Sequence, residues 1–166
     1  MLRNNRNKTC CFTGHRSIPE YAVEDIEGWV EKLVTALYCN YGICYFGSGG
    51  AMGFDIIAAE AVLRVAREYP EVKLIMVLPC PDHDKRWPQI WKDRLVNLKK
   101  HAAKTVFVSD RYHGGCMHAR NRHLVDHSAW CIAYLQQNTG GTAYTVRYAE
   151  ERGLRVFRYS EVMKNI

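Results

Sequence analysis

Between residues 43 and 63 a short apolar run, Ile43-Cys44-Tyr45-Phe46, breaks into Gly47-Ser48-Gly49-Gly50-Ala51-Met52-Gly53-Phe54-Asp55. It then resumes as Ile56, Ile57, Ala58, Ala59, Ala61, Val62 and Leu63 at helical spacing. A strand that turns through glycines directly into a helix restricts the chain to few folds, since parallel strands need a crossover and a helix is the usual one. The glycines admit positive φ and close approach, while the amides and dipole of the helix start attract an anion, phosphate above all. The spacing is neither GxGxxG nor GxxxxGK[ST]. Two readings stay open: an anion-binding turn, and a tight turn with nothing bound.

The same unit recurs along the chain. Residues 8–12 read as a first strand ending in Thr13-Gly14-His15-Arg16, and Pro19 marks entry to a helix with Val23, Ile26, Val30, Leu33, Val34 and Leu37 at intervals of three and four. Further strands are expected over residues 43–46, 72–78, 105–108, 130–135 and 154–159, with helices between them. This alternation predicts a Rossmann-like α/β fold, a parallel or mostly parallel sheet with helices on both faces. Ligands in such sheets bind beyond the carboxyl ends of the strands, at the topological switch point. Polar and glycine-rich clusters at residues 13–16, 47–55, 79–84, 109–121 and 138–142 all fall at strand ends, and one shared cleft would account for them.

A length of 166 residues suits a single domain over 1–166, and 48% hydrophobic residues without a polar low-complexity tract argue for a packed core. No apolar run is long enough to span a bilayer and residues 1–7 are basic and polar, so a cytoplasmic protein with no membrane partner is expected. Seven cysteines without a CxxC pair read as reduced thiols. The formal charge of +6 is diffuse. A surface dedicated to nucleic acid would interleave Lys and Arg with exposed aromatics, so charge alone leaves nucleotide and nucleic-acid readings open.

Thr13-Gly14-His15-Arg16, the GSGGAMGFD stretch (Gly47, Ser48, Gly49, Gly50, Gly53, Asp55), Arg120-Asn121 with Asp126, and Gly140-Gly141-Thr142 run in this order through most of the chain. In this set the chain resembles the SLOG superfamily, the Rossmann-like group that includes the DprA and Lonely Guy proteins, and most closely its YpsA-like branch. The resemblance implies binding of a nucleotide or nucleotide-derived ligand, as sensor or enzyme. Lonely Guy proteins are more distantly similar. They cleave the N-glycosidic bond of nucleoside 5′-monophosphates, using a Met-x-x-Arg helix, matched here by Met117-His118-Ala119-Arg120, and a PGGxGTxxE turn. The corresponding stretch here is shortened and carries Thr145 in place of the glutamate. Phosphoribohydrolase activity is thus one alternative, and DprA-like binding of single-stranded nucleic acid a second.

For ligand binding the expected residues are Thr13, Gly14, His15, Arg16, Gly47, Ser48, Gly49, Gly50, Gly53, Asp55, Arg120, Asn121, Gly140, Gly141 and Thr142. Amides and a hydroxyl at the helix start of residues 140–142 suit phosphate, Arg120 can fork onto it, and Asn121 can read a base or ribose. Asp55 and Asp126 are the candidate acid–base carboxylates; Asp55 can equally serve the first turn of its helix. His123 and His127 stand one helical turn apart, but no metal-ligand spacing is completed, so neither a metal nor a cofactor is expected. Trp87 and Trp91 suit core packing or a homo-oligomer interface better than base stacking.

Overall fold

The central apolar runs become strands because helices sandwich them. In the computed structural model, which describes residues 4–159, the strands are β1 (Thr9–Gly14), β2 (Tyr45–Ser48), β3 (Lys73–Leu78), β4 (Lys104–Phe107), β5 (Trp130–Tyr134) and β6 (Arg155–Arg158). They form one sheet in the order β4-β3-β2-β1-β5-β6, with every pairing parallel. The central strands are the most apolar: all five residues of β5 are buried, as are Cys10 to Thr13 of β1, as expected where helices cover both faces.

Helices α1 (Val23–Tyr41), α2 (Phe54–Glu68) and α3 (Gln89–His101) lie on one face, and α4 (Cys116–Asp126) and α5 (Gly141–Glu151) on the other. Handedness explains this division. From β1 the chain steps outward to β4 through right-handed crossovers, which keep their helices on one face; stepping back past β1 to β5 and β6 puts the next two on the opposite face. The reversal leaves a switch point between β1 and β5, where adjacent loops part and a crevice opens. Helix α1 ends on Gly42 at φ 69°, whose amide donates to the Tyr38 carbonyl at 3.0 Å while Ile43 donates to Leu37 at 3.2 Å, a left-handed glycine ending that aims the chain into β2.

Two boundaries differ from the sequence expectation. Strand β1 continues through Thr13 and Gly14, and β2 takes in Gly47 and Ser48, because Gly14 pairs with Tyr134, Gly47 with Cys11 and Ser48 with Met76. Sheet pairing overrides the weak strand preference of glycine here. Trp87 and Trp91 pack partly buried against the core, and Arg94 lies over the Trp91 ring at 4.3 Å while its guanidinium forks onto Glu60. All seven cysteines are free thiols, five of them buried. No helix among the described residues is long and apolar enough to cross a membrane.

Candidate functional site

The crevice at the switch point is a cavity of about 330 Å³, within the range of small-molecule sites. Thr13 and Gly14 line it from the end of β1, followed by His15 and Arg16. Ala51 and Asp55 come from the turn into α2, Met117, His118, Arg120 and Asn121 from α4, and Gly141 and Thr142 from the start of α5. Four of the five clusters expected to share a cleft thus contribute to one. Residues 79–84, the fifth, do not line it.

Arg120 dominates the floor. It is only 4% exposed, and its hydrogen bonds go to neutral acceptors: the Gly49 carbonyl and the Asn121 Oδ1 at 2.7 Å, with the Met117 sulfur at 3.8 Å from a terminal nitrogen. Burial holds its pKa down, and Asp55 partly offsets this. A guanidinium buried among neutral partners retains most of its attraction for an anion. Gly49 makes the arrangement possible, since a Cβ there would stand 2.8 Å from the Arg120 side chain.

Asp55 is 6% exposed and accepts the Ala51 amide at 3.3 Å through Oδ2, whereas its buried Oδ1 has no hydrogen-bond partner. Burial raises its pKa to about 6 against the pull of Arg120, the Ala51 amide and Arg16. A buried polar atom left unsatisfied is uncommon, and this one belongs to a cavity-lining side chain. His15 accepts the Gln136 amide at 2.8 Å on Nε2 and meets the Tyr134 ring edge-on at 5.8 Å. Accepting there requires a neutral ring with its proton on Nδ1, and burial lowers the pKa in the same direction. The ring tethers the loop after β1 to the loop after β5.

The two glycine turns differ. In the first, Ser48 donates to the Asp55 carbonyl at 2.8 Å and receives the Gly50 amide at 3.2 Å, and the Phe54 amide at the head of α2 donates to the His15 carbonyl at 3.1 Å. Gly53 sits at φ 84°, and a Cβ there would lie 2.2 Å from the Arg16 carbonyl oxygen. Gly47, Ser48, Gly49, Gly50 and Gly53 do not line the cavity; protein atoms fill the space beside them. In the second turn, nothing lies within 4 Å of a Cβ built on Gly140 or Gly141, and no side chain caps α5. Gly141 and Thr142, at the start of α5, line the cavity.

Asp126 lies outside the cavity at the far end of α4, accepting the Tyr148 hydroxyl at 2.7 Å with Arg152 at 3.4 Å. The Thr145 hydroxyl turns back to the Gly141 carbonyl at 2.9 Å within its own helix. His123 and His127 stack at 4.1 Å, with His127 Nδ1 engaged by the His123 carbonyl at 2.7 Å. Ala51, Met117 and His118 line the cavity without having been singled out as ligands; for Met117 the signal was its place one helical turn from Arg120 and Asn121. A larger groove of about 650 Å³ runs between α1 and α2, away from the strand ends, where Arg64 pairs with Glu31. The smaller cavity, where the buried Arg120 guanidinium and the buried Asp55 carboxylate meet at the strand ends, is the better candidate.

Comparison with known proteins fits this geometry. The chain is 27% identical over 134 residues to a UPF0398 protein of Bacillus pumilus, covering 79% of this chain and 72% of that one. It is also 27% identical over 119 residues to the SPbeta prophage-derived protein YoqJ of Bacillus subtilis, covering 64% and 69%. DNA processing protein A of Helicobacter pylori, which binds single-stranded DNA, superposes with a TM-score of 0.70 at 21% identity over 95% of this chain and 67% of that one. The Streptococcus pneumoniae protein of the same name gives 0.66 at 19% identity over 90% of this chain and 49% of its own. At such identities the likeness is one of fold. The family model YpsA, described as the YspA SLOG family, matches residues 11–160, and the chain belongs to that family.

Proposed function

We propose that the cavity binds a nucleotide or nucleotide-derived ligand, with phosphate between Arg120 and the open start of α5 and ribose hydroxyls at Asp55. The observation that carries this reading is the buried Arg120 guanidinium, hydrogen-bonded to neutral groups and lining one cavity with Gly141 and Thr142 at the start of α5, a helix end without a side-chain cap. Phosphate satisfies both at once. Asp55, which lines the same cavity, accepts a ribose hydroxyl there. Calorimetric titration with a panel of nucleoside 5′-monophosphates tests the reading. Wild type should bind, and Arg120→Ala should lose about 1.5–3 kcal/mol, the range for a hydrogen bond to a charged group, while its circular dichroism stays native. Equal affinity in the variant would refute the assignment.

Asp55 favours a second reading, hydrolysis of the N-glycosidic bond. Among the described residues it is the one carboxylate lining the cavity, and a pKa of about 6 suits exchange of a proton with a leaving base. Thr145 supplies no carboxylate from α5, so the expected result is binding with very slow release of base. Rapid base release seen by chromatography, and lost in Asp55→Asn, would establish hydrolysis instead.

A further inference from the structure

We propose that the outer face of α4 and α5 is a base-stacking ledge for a short single strand of nucleic acid, one phosphate of which sits in the cavity. The seat for that phosphate rests on the reading above; the ledge rests on different residues. His118 lines the cavity and is exposed, and its ring meets Tyr144 edge-on at 5.1 Å. Tyr144, 36% exposed, is followed one helical turn later by Tyr148, whose ring lies within 3° of parallel at a centroid distance of 6.4 Å. Three rings therefore lead outward from the cavity rim. Tyr148 is partly buried against the core beneath α4 and α5, and its hydroxyl donates to Asp126, so its ring is fixed before any ligand arrives.

Cations flank the rings. Arg122, exposed, follows His118 by one turn of α4 and lies close enough to Tyr148 to influence its phenol, and exposed Arg147 reaches the Asn138 carbonyl at 3.4 Å, beside the glycine turn. Arginine interleaved with exposed aromatics is how proteins hold single strands without reading sequence: rings stack on bases and cations follow the phosphates. His118 and Tyr144 are exposed and free to meet a ligand. At the far end Asp126 engages Arg152 and Glu150 engages Arg158. These carboxylates bound the ledge and keep its footprint short.

The test measures fluorescence anisotropy of a labelled six-nucleotide oligothymidylate alongside calorimetry with thymidine 5′-monophosphate. The oligonucleotide should bind at least about tenfold tighter than the monophosphate, and Tyr144→Ala and Tyr148→Ala should each weaken it about tenfold. Tyr148→Phe, which keeps the ring, should retain wild-type affinity, and all three variants should bind the monophosphate as wild type does. An Arg122→Ala, Arg147→Ala double variant should flatten the salt dependence of oligonucleotide binding. Oligonucleotide affinity no better than that of the monophosphate, or unchanged in both tyrosine-to-alanine variants, would overturn the ledge and leave the cavity reading intact. Tyrosine-dependent oligonucleotide binding with no monophosphate binding would support the ledge and refute the cavity reading; binding of neither would refute both.

Discussion

Asp55 carries opposed demands. Burial favours its neutral form, with a pKa near 6, although Arg120 and Arg16 pull the other way. Because the folded chain holds this proton more tightly than the unfolded chain, the group adds stability at low pH that is lost as pH rises from about 4 through 6. Asp55→Asn should therefore be more stable than wild type at pH 7.5 by on the order of 2–3 kcal/mol, with the difference shrinking toward pH 4. His15 and His83, both with lowered pKa values, act oppositely, losing stability as pH falls. The difference between variant and wild type in urea melts across this range isolates Asp55. The same variant should bind nucleoside monophosphate more weakly, a trade of function for stability. In the sequence Asp55 was legible as a first-turn carboxylate or a ligand group; its unpartnered oxygen was not, because burial of one atom depends on neighbours distant in the chain.

The two glycine turns look alike in sequence and do different work. Gly53 is fixed by its positive φ and by the Arg16 carbonyl, so Gly53→Ala should cost at least about 2 kcal/mol, read in chemical denaturation. Gly141 faces open cavity, so Gly141→Val should leave stability within about 1 kcal/mol while abolishing nucleotide-dependent thermal stabilisation. A destabilised but ligand-binding Gly141→Val protein would reverse these roles. Periodicity revealed the helices and their phase because each has one apolar face. The edges of β1 and β2 were less legible: glycine at 14 and 47 reads locally as turn, and only the partners Phe54 and Leu124, which fill the space a Cβ would take, explain its place in a strand.

Over the whole molecule, alternating strands and helices were enough to imply the parallel sheet and to put the polar clusters at its carboxyl edge. Strand order was not readable from one chain, yet it decides the site: β1 and β5 are neighbours although Thr13 pairs with Ala133, 120 residues further along. That juxtaposition brings Arg120 and Gly141 to one cavity and leaves residues 79–84 outside it. The rival location is the groove between α1 and α2, which is larger but lies away from Arg120 and Asp55. Backbone amide NMR during titration with a nucleoside 5′-monophosphate separates the two most directly. The largest shifts are expected at Gly14, Asp55, Asn121, Gly141 and Thr142, and should disappear in Arg120→Ala; shifts confined to Gly28, Thr35, Ala36 and Val65 along the groove would contradict the assignment of the strand-end cavity as the binding site.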